Sequence, residues 1–259
     1  MIVLSSLLVA IIVPMAFSEM GTRINFTHAL KPPLTAGHLM GTDQLGRDVF
    51  VRITSGLRTS FVISLSAVAV ALVVGLTVGL LAGYFGGWAD TVLMRLTDIQ
   101  MALPFIVLAV AILSVAKPGF VSLTIVLSLA AWPTYARMVR GVVQVERSAD
   151  HLQAALALGA GPGRILLRYL LVSILGPTLI LSILDVAAMI IYESTLGFLA
   201  IGMPPGTPSL GSIMADGKNY VATAWWITAM PGLVILYTLV GLNLTGIALR
   251  ARAGSTTQR

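Results

Sequence analysis

The sequence predicts an all-α polytopic membrane protein, and three observations carry that prediction. Of the 259 residues, 57% are hydrophobic and only 10% charged, far less charge than the surface of a soluble domain this long requires. The apolar residues gather into runs long enough to cross a hydrocarbon core of about 30 Å. The basic residues gather between those runs, most densely around residues 140–168. The chain has no cysteine, so a disulfide framework, a thiolate metal site and a cysteine nucleophile are all excluded. The net charge of +6 is read as an orientation signal and lipid contact. Nucleic acid is not expected as a partner, because no basic stretch is interleaved with aromatics.

Six spans are predicted, at residues 2–17, 60–83, 93–116, 121–139, 170–192 and 226–249. They form one transmembrane domain: residues 1–59 as first span and outer segment, 60–249 as a five-helix core, and 250–259 as a tail. An even number of spans puts both termini on one side. Arg137, Arg140, Arg147, Arg164 and Arg168 in the insert, Arg250, Arg252 and Arg259 in the tail, and Arg95 give that side nine basic residues. The other side holds seven, spread over longer loops, so the denser side is expected to be cytoplasmic. The first span could be read as a signal peptide. However, no Lys or Arg precedes Arg23, and the stretch from Pro14 to Ser18 is a poor cleavage site, which favours a retained span. The missing basic lead leaves room for a longer native N-terminus.

Each later element carries its own signal. Before the second span, Asp43/Arg47 and Asp48/Arg52 are spaced four apart, acid first, which predicts a short outer helix. The second span repeats small residues at Ala67, Ala71, Gly75, Gly79 and Gly83. Such a ridge lets another helix approach closely, either within this chain or in a second, homologous chain. Asp185 lies inside the fifth span, where a carboxylate is costly unless it faces a cavity or a partner. It is a candidate passage-lining residue that could meet a substrate amine, or else it pairs with a neighbouring helix. Glu193 ends that span and is also a passage-lining candidate, against the plainer reading of a helix-end carboxylate with ordinary hydration. Asn243 in the last span is expected to bond across to another helix.

The insert between the fourth and fifth spans is the most informative segment. Asp150 and Gln153 have capping-box spacing. The stretch from Leu152 to Leu158 is rich in alanine, a strong helix former. Gly159 supplies a left-handed stop, and Pro162 suits the first turn of the next helix. The result is a compact helix that either meets a cytoplasmic partner or rests on the lipid surface.

At these residues the sequence resembles the integral-membrane permease of ABC importers, in the dipeptide/oligopeptide/nickel branch. The coupling loop of that family carries a Glu-Ala-Ala triplet, three residues and a Gly. Here Gln153-Ala154-Ala155 and Gly159 keep the spacing, with Gln in place of Glu. Three further stretches resemble the same branch in order: His38 to Asp48, Gly83 to Asp90 continuing to Arg95, Asp98 and Pro104, and Glu193 to Gly202 followed by Pro205 and residues 207–211. Leu242 to Gly246 and Leu249-Arg250 also fit, although Ile247 and Ala251 stand where acidic residues are expected. The resemblance implies the six-helix fold of type I importers, with the N-terminus inside a bacterial-type inner membrane. It implies that Asp150, Leu152, Gln153, Ala154, Ala155, Leu158 and Gly159 belong to an ATPase-coupling helix. The implied partners are a second permease, two cytoplasmic ATPase subunits or domains, and an extracytoplasmic binding protein. The implied cargo is short peptides, with nickel or another small solute as the alternative.

No cofactor is expected in this chain, with ATP and magnesium held by partner subunits. Gly211 to Lys218 is not a Walker A motif: it has one residue too many between its glycines, and Asn219 stands where Ser or Thr should hold magnesium. No catalytic residue is expected, since an intramembrane enzyme needs clustered ionisable groups within its spans. A secondary transporter working alone should show an internal repeat, and none is evident. His28, His38 and His151 fall on two sides of the predicted membrane, which excludes a shared three-histidine metal site. His28 and His38 are expected to be solvated loop residues in preference to a weak outer metal site.

Overall fold

In the computed structural model the described residues are 23–35 and 37–256; the first predicted span and the end of the tail lie outside them. A short 3-10 turn (Phe26–His28) and an irregular outer segment lead into α1 (Val49–Phe85). Then come α2 (Gly87–Ala102), α3 (Phe105–Val115), α4 (Phe120–Glu146), α5 (Asp150–Ala157), α6 (Pro162–Phe198), α7 (Leu210–Gly217) and α8 (Trp226–Thr256). Within α6, Ile165–Leu170 is π-helical.

Three described helices are long and apolar enough to cross a membrane: α1, α6 and the stretch Trp226–Ala251 of α8. α1 has 37 residues and extends about 55 Å at about 1.5 Å per residue, well beyond the hydrocarbon core. It begins before the predicted span because Asp48 caps it, its carboxylate accepting from the Val51 N–H at 3.0 Å.

The third predicted span is not one straight helix. α2 and α3 meet at an 88° bend. Pro104 lacks an N–H and forces the preceding Leu103 out of helical geometry, to φ −87° and ψ 126°. α3, at 11 residues, is too short to cross alone, so this region is a broken span or a re-entrant loop. α4 contains the fourth predicted span and is long enough at 27 residues. It is less apolar than the three clear spans, because Ser, Thr, Pro133, Arg137 and Arg140 interrupt it. Asn243 does not bond across helices: its side-chain N–H donates to the Leu239 carbonyl of α8 itself, at 2.9 Å.

The small-residue stripe of α1 is used within the chain. Ala67 and Ala71 are fully buried, and Gly75, Gly79 and Gly83 face α4. A Cβ on Gly79 would stand 2.6 Å from the Ala136 carbonyl oxygen and 2.7 Å from the Val139 Cβ. One on Gly83 would stand 2.8 Å from the Val143 Cβ. The backbones therefore pack at a distance that only hydrogen side chains allow. α6 and α7 cover another face of α1, and α8 packs on both of them. We predict that Gly79→Val destabilises the chain by about 1–3 kcal/mol through overpacking. Thermal unfolding in detergent should show a lower midpoint for this variant, with Gly141→Val, whose Cβ meets open space, unchanged. Equal midpoints would refute the close α1–α4 contact.

Candidate coupling surface and buried charges

The insert helix α5 is built much as its sequence suggests, with one correction. Its N-cap is Ala149, and no side-chain cap bond forms, so the predicted Asp150–Gln153 capping box is absent. The Gln153 N–H is taken by the Ala149 carbonyl at 3.1 Å, and the Gln153 amide reaches back to the Arg147 carbonyl at 2.7 Å. Asp150 occupies the first helical turn, where its charge suits the helix dipole. The C-terminal stop is as expected. Gly159 sits at φ +80°, its N–H bonds the Leu156 carbonyl, and the Ala160 N–H bonds the Ala155 carbonyl. These two bonds make a Schellman motif. Pro162 opens the next helix.

One face of α5 points into the protein. Leu152 joins Val139, Val143, Ile165, Leu170 and Ile174 in a small apolar cluster where α4 ends and α6 begins, and Ala155 is buried as well. The opposite face holds Asp150, Gln153, Ala154 and Gly159, all exposed, together with Leu156. Leu158 at the helix end is 88% exposed. A cavity of about 540 Å³ opens between α5 and the end of α1, walled by Tyr84, Phe85, Gln144, Arg147, Gln153 and Leu156 among others. Arg147 donates to the Gly83 carbonyl at 3.3 Å and lies 5.9 Å from the centre of the Tyr84 ring, which ties the base of α5 to α1. Asp90 accepts two hydrogen bonds from Arg140, and Asp98 accepts one from Arg137 at 2.6 Å. Both pairs join α2 to α4.

The two acidic residues of α6 have different surroundings. Asp185 is half-buried and interacts with Tyr135 of α4. Neither Asp185 Oδ2 nor the Tyr135 hydroxyl, both buried, has a partner in hydrogen-bond geometry. Glu193 is not the hydrated helix-end carboxylate that its position in the sequence suggested. It is 1% exposed and enclosed among α1, α6 and α7. Ser60 Oγ donates to its carboxylate at 2.6 Å, and Ser194 Oγ lies 3.4 Å from the same oxygen. Its carboxylate therefore does not face the surface of the chain.

Sequence spacing missed the main ionic cluster of the outer segment. Residues 42–48 form turns and bridges, and the predicted short helix is absent. Asp43 and Arg47 do pair, at 2.7 Å, but Asp48 and Arg52 do not, since Asp48 is occupied at the helix cap. Arg52 instead bridges Asp43 at 2.5 Å and Asp216 of α7 at 2.8 Å. The Asp43 side chain is fully buried, and it also accepts the N–H groups of Leu45 and Arg47, each at 2.9 Å. Arg47, Arg52 and Asp216 form part of the wall of a second cavity, also about 540 Å³. A contact so distant in sequence leaves no periodic signal; only the presence of Asp216 near the end of α7 could have hinted at it. Among the described residues, no group of three metal-ligating side chains is brought together.

Residues 75–251 match the family described as binding-protein-dependent transport system inner membrane component. The chain belongs to this family, whose members are inner-membrane, multi-pass subunits of ABC transporters and not catalysts in their own right. It is 38% identical to the di/tripeptide transport system permease protein DppC of Pseudomonas aeruginosa (strain UCBPP-PA14), covering 83% of this chain and 71% of the relative. It is 34% identical to a probable D,D-dipeptide transport system permease protein, DdpC, of Escherichia coli (strain K12), over 96% of this chain and 83% of the relative. A chain from an inward-facing conformation of the MetNI methionine ABC transporter superposes with a TM-score of 0.62 at 20% identity, over 76% of this chain and 94% of that one. The fold is thus that of a type I importer permease.

The Asp43–Arg52–Asp216 bridge and the exposed Asp98–Arg137 pair should differ sharply in worth. Arg52→Leu leaves buried negative charge under-compensated and is expected to cost about 3 kcal/mol. Asp98→Asn breaks a pair whose side chains are 51% and 45% exposed and should cost less than about 1 kcal/mol. Chemical unfolding of both variants in micelles measures the contrast; equal losses would contradict it.

Proposed function

We propose that this chain is the permease subunit of an ATP-driven importer of short peptides, moved by partner ATPases through α5. The observation that carries the reading is the construction of α5. One face is anchored in the protein by Leu152 and Ala155, while the other offers Ala154, Leu156 and Leu158 to the outside. A short helix closed by a Schellman turn, with outward leucines, fits a groove on a soluble partner and can transmit a push to α4 and α6. The peptide cargo is supported by the names of relatives that match over most of the chain. In this reading a second permease completes the passage, a binding protein delivers cargo on the outer side, and ATP and magnesium bind to the ATPases. Both termini and α5 face the cytoplasm, in keeping with the denser basic charge of that side.

Asp185 is assigned to the passage between the two permeases. Asp185 is half-buried and its Oδ2 is enclosed beside Tyr135 without a partner in hydrogen-bond geometry, and a carboxylate inside a span is offset best by a hydrated passage that a substrate's positive end can enter.

Two experiments test these assignments. In the assembled complex, Leu158→Arg should abolish most of the ATP hydrolysis stimulated by loaded binding protein while leaving membrane insertion intact. Gly159→Asp should do likewise, because a side chain at φ +80° costs roughly 1 kcal/mol and loosens the stop that sets α5. Normal stimulation in both variants would remove α5 from coupling. Separately, Asp185→Asn should leave complex yield unchanged and lower transport of cationic and zwitterionic peptides more than that of neutral ones. A reduced yield with unchanged cargo ratios would make Asp185 structural.

A further inference from the structure

Two histidines that the sequence placed apart in an outer loop are brought into contact. His38 Nδ1 lies 2.7 Å from Asp48 Oδ2. An ionised carboxylate can only accept, so Nδ1 carries the proton and the Nε2 of the neutral ring presents a lone pair. That Nε2 is 3.3 Å from His28 Nδ1. With His28 Nδ1 protonated, the contact is an N–H···N hydrogen bond between the rings. Its length also matches two imidazole nitrogens on one tetrahedral metal: with bonds of about 2.0–2.1 Å, the nitrogens stand about 3.3 Å apart.

We propose that His28 and His38 bind a single late first-row divalent cation, with zinc as its type, and that Asp48 positions the pair. Imidazole nitrogen suits zinc, nickel and copper(II) over magnesium or calcium. The second shell is already in place. A carboxylate on the far nitrogen of a ligating histidine fixes its tautomer and raises its basicity, and Asp48 is itself held by the Val51 N–H at the start of α1. The His28 backbone is held too, its carbonyl accepting from the Thr42 hydroxyl. The cation takes the place of the hydrogen between the rings. His28 moves to its Nε2–H tautomer, so no net proton is released. The His38 side chain is 15% exposed, and water fills the remaining coordination positions. The cation would clamp the Phe26–His28 turn to the N-terminus of α1. The proposal concerns the outer segment alone and does not depend on the cargo or coupling readings.

The test uses the purified full chain without a histidine tag. The chain has no cysteine, and its one other histidine, His151, lies beside Glu146 at 3.5 Å, on the predicted opposite side. In equilibrium dialysis against zinc, wild type and His151→Gln should each bind one equivalent. His28→Gln and His38→Gln should each weaken binding at least tenfold, and Asp48→Asn by about 10–100-fold. Because Asp48 also caps α1, the decision rests on the histidine variants and on a second probe. With copper(II), electron paramagnetic resonance should show two imidazole nitrogens in wild type and one in each single-histidine variant. The proposal is overturned if the folded wild type shows no saturable zinc binding. It is equally overturned if binding survives in the double variant, or if the copper spectrum is the same in wild type and single variants.

Discussion

The close contact between α1 and α4 sets the positions of the other helices. Gly75, Gly79 and Gly83 bring the α1 backbone against Trp132, Ala136, Val139 and Arg140 of α4, at a separation that any Cβ would forbid. In a bilayer there is little hydrophobic gain from bringing helices together, so close van der Waals packing must supply the attraction. The same contact runs to the end of α4 nearest α5. There Val139 and Val143 form the platform on which Leu152 of α5 and Ile165 and Leu170 of α6 sit. Arg147 then reaches back to the Gly83 carbonyl. α5 thus rests directly on the pair of helices that bracket it.

The two ends of the protein are held by different chemistry. At the end built from residues 42–60, buried charges and hydrogen bonds lock distant segments together: Arg52 joins Asp43 to Asp216, Ser60 donates to Glu193, and the Trp226 indole N–H donates to the Thr42 carbonyl at 3.1 Å. At the α5 end the links are apolar or solvent-exposed, apart from the Arg140–Asp90 pair. Breaking a buried pair leaves a charge that water cannot reach, whereas an apolar seat can shift by small slides.

Much of this was legible in the sequence, for identifiable reasons. The glycine stripe, the Gly159 stop and the Pro162 start are local rules, and each appears where residue spacing put it. The site of α5 emerged from the same signals and from the resemblance of Gln153-Ala154-Ala155 and Gly159 to a known loop. What failed was partly local, as in the absent Asp150–Gln153 capping box, and partly non-local. The break at Pro104 lay inside a run that hydropathy reads as continuous, although the proline itself was the signal. Glu193 looked like a water-facing helix end because Ser60 and α7, which cover it, are far away in sequence. Asp48 and Arg52 have helical spacing, yet one caps α1 and the other crosses to α7, since a cap and a buried bridge each outweigh a surface pair worth a few tenths of a kcal/mol. Of the residues grouped in the coupling helix, Leu152 and Ala155 face inward, while Asp150, Gln153, Ala154, Leu158 and Gly159 are exposed.

The proposed function makes the exposed face of α5 the surface that a cytoplasmic ATPase covers. Leu158→Cys would be the only thiol in the chain. In inside-out membrane vesicles a membrane-impermeant thiol reagent should label it rapidly when the permeases are expressed without their ATPases, and labelling should fall at least tenfold when the ATPases are co-assembled. Equal labelling in both preparations, or labelling only in right-side-out vesicles, would contradict that role for α5.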